Sequence, residues 1–469
     1  MVTNFKTPGV YIEEIAKFPP SVVPVETAIP AFIGYTEKTR YQGQDLTNHP
    51  VAIDSFLEFE QIFGAAPKIG NLTVSVDTEG NVLEGIADPN GGAEARFRMA
   101  YALRHFYDNG GGKCYIISMG DYDLTKGGTS DMVSAHLAGL GAVAKEDEPT
   151  LIVFPDLSGM VSPSPAADDA TRASYHSVLI QALNQCATLG DRFLICDLWD
   201  GAKSGNGIDA FRNGIGTRNL KYGSVYHPYI HTTLPWNWDE KTITIAQLNA
   251  SDSSLEALKN TAPNIYAKVR KVLDRYTVIL PPAAAVAGIY ATVDRTRGVW
   301  KSPANESLNS VRSLTVDIDQ DMNNDMNVHT TGKSINALRY FSGKGFLVWG
   351  ARTLAGNDNE WRYVAVRRFF NMVEESVKKA TEPFVFEPND ANTWVKVKAM
   401  IENFLILQWR AGALTGAKPE DAFYVHVGLG TTMTAQDILE GRMNVEIGMA
   451  AVRPAEFILL RFSHKMQES

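Results

Sequence analysis

Two short runs in this 469-residue chain have the residue types of a phosphate cradle, Gly110-Gly111-Gly112-Lys113 and Gly332-Lys333-Ser334. Phosphate loops need strand, glycine loop and helix in that order, so that N–H groups at a helix start face the anion. The first run follows a helical pattern and precedes the apolar Cys114-Tyr115-Ile116-Ile117, which is the reverse order. The second has Asn327 where the motif's first glycine would stand, and no apolar strand leads into it. Asp317, Asp319 and Asp321 share the spacing of a calcium loop, but Met322 replaces the glycine of the sharp turn and Val328 the bidentate glutamate. His227 and His231 would share a helix face, yet Tyr226-His227-Pro228-Tyr229 reads as extended and separates them by roughly 13 Å. Cys114, Cys186 and Cys196 are too few and scattered for a disulfide framework or a zinc site, and read as small core hydrophobes. No cofactor and no metal is expected.

The elements that would position such groups are clearer than the groups themselves. Leu151-Ile152-Val153-Phe154 and Phe193-Leu194-Ile195-Cys196 are apolar without alternation and flank a helical stretch, Ala170–Ala187; Tyr222–Tyr229 adds a strand. Such strands, separated by helices, predict a parallel sheet covered on both faces. Ser334–Tyr340 is helix-compatible and leads to a glycine-flanked turn, Ser342–Gly345. Phe346-Leu347-Val348-Trp349 then reads as a strand buried on both faces, with Arg352 placing a charge at its end. Shorter helices are expected at Ser55–Phe63 and Gly91–Tyr107, one long helix at Leu255–Leu273, and a small-residue helix at Ala283–Tyr290. Thr73–Ile86 alternates like a hairpin around Glu79-Gly80-Asn81, a small surface insertion at about 68–90.

Past residue 345 the pattern is helical and mixed. Trp361–Thr381 carries a buried stripe of Tyr363, Val366, Phe370 and Val373; a second helix spans Val395–Ala411 and a strand Ala422–Val427. Thr434 is the N-cap of a short helix that exposes Asp437, Glu440 and Arg442. Both termini hold strands without sequence neighbours. Near the start, Val10, Tyr11, Ile12 and Glu13 alternate after a Pro-Gly turn; near the end, Arg453–Phe462 includes Phe457, Ile458, Leu459 and Leu460. An isolated strand must pair somewhere, either at the edge of its own domain or in a neighbour's sheet.

At 45% hydrophobic residues the chain can bury a large core in two or more domains. No run approaches the roughly 18 apolar residues of a membrane span, and Met1–Phe18 carries Lys6, Glu13, Glu14 and Lys17 where a signal peptide needs an apolar centre. A cytoplasmic protein is expected. Interspersed charges summing to −9 argue against a nucleic-acid partner.

Several blocks together resemble the contractile-tail sheath proteins of phages, bacteriocins and extracellular injection systems. They are Ser334–Leu354, Val278–Asn305, Thr27–Thr36, Phe384–Asp390 with Trp394, and Arg453–Phe462. The resemblance runs almost end to end and is weakest over Lys68–Asn90 and Gly201–Ala262. It implies a subtilisin-like α/β body with a largely parallel sheet (21–345), an α+β C-terminal domain (346–452), and strand arms at 1–20 and 453–469. It also implies a helical homo-oligomer of six-fold discs around an inner tube, with baseplate and terminator or cap proteins as further partners. Val10–Glu13 and Phe457–Leu460 would then link subunits, and Asp437, Glu440 and Arg442 would face the tube.

The implied body invites a protease question. Gly128-Thr129-Ser130 matches the start of a subtilase serine motif, but a catalytic serine needs a histidine base and an orienting carboxylate. His49 and His105, the histidines that precede Ser130, lack the glycine-flanked context of such a base. The competing classes are an α/β enzyme or ligand-binding protein with an accessory C-terminal domain, and a sheath-like cap or baseplate adaptor.

Overall fold

The computed structural model of the chain describes residues 22–83, 89, 94–123, 129–160, 168–202, 207–247 and 253–459. Two compact units divide it, 1–25 with 375–452, and 26–374 with 453–469.

The larger unit is built on a nine-stranded sheet. From edge to edge its strands are Glu306–Ser307, Gly345–Val348, Asn336–Phe341, Gly223–His227, Phe193–Cys196, Leu151–Val153, Pro30–Gly34, Cys114–Ser118 and Val51–Ile53. The six strands from Asn336–Phe341 through Cys114–Ser118 run parallel, and the three outer ones pair antiparallel. Successive side chains point to opposite faces, and each face has its own core. Ala31, Ile33, Ile152, Leu194 and Cys196 enter one core with the helices Thr129–Val143, Asp168–Leu189 and Gln320–Asn327. Phe32, Leu151, Val153, Phe193 and Ile195 enter the other with Phe56–Phe63, Met99–Asp108 and Ala283–Arg297. This is why the central strands read as continuous apolar runs: both faces are covered. The small-residue helix does pack closely, since a Cβ on Gly288 would stand 2.5 Å from the carbonyl oxygen of Phe106.

Several expectations are corrected. Asn336–Phe341 is a strand, not part of a helical lead-in, and pairs antiparallel with Gly345–Val348 across the glycine turn. The latter strand lies one place from the sheet edge, and Trp349 beyond it is 39% exposed, so the run is not buried on both faces. Leu255–Leu273 is two helices, Leu255–Thr261 and Pro263–Leu273, because Pro263 cannot continue the first but suits the first position of the second. Thr73–Val76 is no isolated surface hairpin. Although Val76 does bridge Val82 across the turn, the strand pairs parallel with Thr244–Gln247 and buries Val74 and Val76 beside Ile243, Ile245 and Trp238. Asp294, Arg295 and Arg297 belong to the helix Ala283–Arg297, where Asp294 takes a buried ion pair from Arg368 at 2.5 Å. The boundary expected at 345/346 falls inside the strand Gly345–Val348; the compact units divide between Glu374 and Glu375, within the helix Val364–Thr381.

The smaller unit holds the rest of that helix, Ala391–Arg410, and an antiparallel pair, Phe423–Val427 with Val445–Met449. Its core is Val397, Met400, Ile401, Phe404, Leu405, Leu414 and Val425. Asp390 caps Ala391–Arg410 by accepting from the N–H of Thr393 at 2.9 Å.

Candidate functional site

In open parallel sheets a ligand binds beyond the carboxyl ends of the strands, where the strand order reverses. Numbered along the chain, the six parallel strands lie in the order 2-1-3-4-5-6, so the reversal falls between Pro30–Gly34 and Leu151–Val153. The chain's own carboxylate occupies that position. Asp156 accepts from the backbone N–H of Tyr35 at 2.6 Å, of Arg98 at 2.5 Å and of Met99 at 3.0 Å, which places it at the N-terminus of Met99–Asp108. A Cβ on Gly34 would stand 2.5 Å from its Oδ2. Next along the sheet, Asp197 accepts from the N–H of Ala283 at 2.8 Å, at the start of Ala283–Arg297. Burial pushes the Asp156 carboxyl up to about 6, against the pull of its three backbone donors, and pushes Asp197 up to about 8. The Arg98 charge pulls both carboxyls down, while its side chain donates to Ser158 at 2.8 Å and sits over the Tyr229 ring. Two helix N-termini that could hold a bound anion are thus filled from within.

The other chemistry-bearing residues have structural employment. Lys113 pairs with Glu148 at 2.5 Å. Lys333 donates to the carbonyl of Arg212. Asp319 caps Gln320–Asn327. Gly128 lies outside the described residues, and Thr129-Ser130-Asp131 opens a helix. His227 and His231 sit on successive strands, and burial holds His227 down at about 4 and therefore neutral.

The smaller unit offers the opposite situation. Phe423–Val427 and Val445–Met449 pair in register from Phe423↔Met449 to Val427↔Val445, and among the described residues neither strand has a second sheet neighbour. A two-stranded sheet leaves one row of N–H and C=O groups free on each outer side. One face is seated on Ala391–Arg410 through Val425; the other carries Tyr424 stacked on His426 at 4.7 Å and donating to Glu446 at 3.0 Å. Between the strands lies the short helix Ala435–Leu439, capped by Thr434 as its sequence implies. The structure brings Asp437, Glu440 and Arg442 together: Arg442 reaches Glu440 at 2.7 Å and Asp437 at 3.9 Å. Asp437 also completes a capping box with Thr434, and the hydrogen bond from the Thr434 N–H holds its carboxyl below the usual range. Leu439 beside them is 82% exposed.

Of the terminal strand residues, Val10, Tyr11, Ile12, Glu13 and Leu460 lie outside the described residues. Phe457, Ile458 and Leu459 are described and form no strand in the single subunit; all three side chains are exposed to water. Asp156, Asp197 and Glu456 were not singled out as sites from the sequence. The first two were findable, since each aspartate closely follows an apolar strand.

Comparison with known proteins shows what the chain is similar to. Residues 356–465 match the model of the phage tail sheath C-terminal domain. A chain in the six-fold symmetrised baseplate of the anti-feeding prophage is 31% identical, with 98% of this chain and 100% of that one aligned and a TM-score of 0.64. The helical sheath of the anti-feeding prophage in its contracted state gives 29% identity, 98% and 100% coverage, and a TM-score of 0.64. The tail sheath protein of Vibrio phage KVP40 is 29% identical over 129 residues, 27% of this chain and 19% of that protein. The chain thus spans about a fifth of that curated relative. This chain belongs to the contractile-tail sheath protein family, a family of structural particle components.

Proposed function

We propose that the chain is the repeating subunit of a contractile sheath, which polymerises helically as stacked six-fold discs around an inner tube. From a metastable extended lattice it contracts to drive the tube through a target envelope. The end-to-end similarity to a chain of the contracted anti-feeding prophage sheath carries this reading. The sealed strand ends support it, because no fuel is consumed when the energy of contraction is stored in the lattice itself. A heterologous, non-closing interface builds such a lattice. Residues 1–20 and 453–469 serve as its strand arms. Val10–Glu13 and Phe457–Leu460 add to the free edges of Phe423–Val427 and Val445–Met449 in other copies, so that main-chain hydrogen bonds tether subunits while their bodies slide. Asp437, Glu440 and Arg442 face the inner tube. The particle is assembled in a bacterial cytoplasm, with baseplate and terminator proteins at its ends. A subtilisin-like fold of the body belongs to the same reading and rests on its six parallel strands alone.

Negative-stain electron microscopy of the protein alone and co-expressed with its tube protein tests the proposal. Striated hollow tubes are expected, and dispersed particles in both samples would overturn it. Single six-fold rings that never extend would favour the baseplate adaptor, which the likeness to a baseplate chain also supports.

A further inference from the structure

Residues 453–459 belong to the larger unit, form no strand, and are fastened there at Glu456. Glu456 takes both arms of the Arg352 guanidinium, Nε at 2.9 Å and Nη2 at 2.5 Å, and also accepts from Tyr363 Oη at 3.3 Å and Asn327 Nδ2 at 3.3 Å. The socket is built into the fold. The Arg352 side chain is 3% exposed, and its Nη1 donates to the carbonyls of Asn327 and Gly356, both at 3.2 Å. Its backbone is clamped by Asn336, which accepts from the Arg352 N–H and donates to the Arg352 carbonyl, each at 2.8 Å. A bidentate arginine–carboxylate pair fixes direction as well as position, and a buried guanidinium needs a counter-charge. Directly after this anchor come Phe457, Ile458 and Leu459, at 76%, 79% and 76% exposure. Three consecutive large apolar side chains held in water are unfavourable for a lone subunit.

We propose that Arg352, Tyr363 and Asn327 form a carboxylate socket that latches each subunit's own Glu456, so that its tail leaves the body at a fixed point and presents Phe457–Leu459 to a second copy of this chain. Strand exchange then begins beyond residue 456, and the latch is what keeps the tether attached to the body when the lattice rearranges. The partner assignment rests on the sheath reading above; the latch itself does not. Arg352 and Glu456 are positioning residues for the arm, not contact residues of the neighbour.

The test separates the two. Cys114, Cys186 and Cys196 are all buried, so a nitroxide on Ile458→Cys labels the tail selectively. In the free subunit the label should report an ordered anchor, and adding Glu456→Gln should raise the freely tumbling fraction at least about tenfold, as expected for losing charged hydrogen bonds. Circular dichroism of the same samples checks the fold. The charge-exchanged pair Arg352→Glu with Glu456→Arg should recover part of the order. Equal label mobility with and without Glu456→Gln overturns the latch even where tubes form, and failure to form tubes with the mobility change intact overturns only the sheath reading.

Discussion

The two units treat their open hydrogen-bonding groups in opposite ways. In the larger one, the place where a parallel sheet offers anion-binding N–H groups is closed by Asp156 and Asp197. In the smaller, Phe423–Val427 and Val445–Met449 keep their outer edges without a sheet neighbour among the described residues. Natural sheets usually protect edges, and enzymes of this architecture usually keep the strand ends available. The contrast is that the smaller unit has sheet edges without a sheet neighbour among the described residues, whereas the larger unit's switch point is filled by its own carboxylates.

The largest expected effect breaks the open side of this contrast. Deleting Met1–Ile15, or placing proline at Ile12, removes ladder donors from the arm, and sheath tubes should be lost while the subunit's melting temperature is kept. Intact contracting tubes from either variant would end the strand-exchange account. Next in size is the sealed side. Asp156→Ala leaves the N–H groups of Tyr35, Arg98 and Met99 without their acceptor, and should cost roughly 3 kcal/mol or more in denaturant melts. A change below about 1 kcal/mol would mean that the crevice admits water.

Asp197 sharpens the comparison through pH. Its carboxyl sits at about 8 in the folded protein because of burial, against an unfolded value of about 3.9. The folded state therefore holds the extra proton between these values. Its stabilising contribution is complete below pH about 4 and is lost as pH rises through about 8. Asp197→Asn keeps an acceptor for the Ala283 N–H and has no such titration, so its melting temperature relative to wild type should be higher at pH 8.5 than at pH 5. Parallel profiles would show that Asp197 is ionised throughout.

The smallest effect on stability is expected in the charged cluster. Glu440→Lys should uncouple sheath from tube in co-sedimentation with almost no change in melting. Asp437→Lys should do the same while also costing about 1 kcal/mol, because it removes half of a capping box. Undiminished co-assembly of both variants would take the cluster out of the tube interface.

Much of the body was legible because local patterns and burial agree there. Leu151–Val153 and Phe193–Cys196 are apolar at every position since each is covered on both faces, and Thr434 caps its helix through side-chain chemistry that acts within three residues. Residue patterns also set the expectation for the motif-like runs, where one residue, Met322 or Asn327, departs from the pattern that the chemistry needs. What tertiary structure alone decided are pairings between distant segments. Asn336–Phe341 is a strand because it has both Gly223–His227 and Gly345–Val348 to pair with, whatever its local helical compatibility. Thr73–Val76 is core because Thr244–Gln247, far along the chain, lies beside it. Arg352 looked like a charge at a strand end, yet it meets Glu456 across 104 positions of sequence. Periodicity reports which side of an element is apolar; it carries no information about which distant group will satisfy a buried charge or a free edge, and that is settled only when the chain closes on itself.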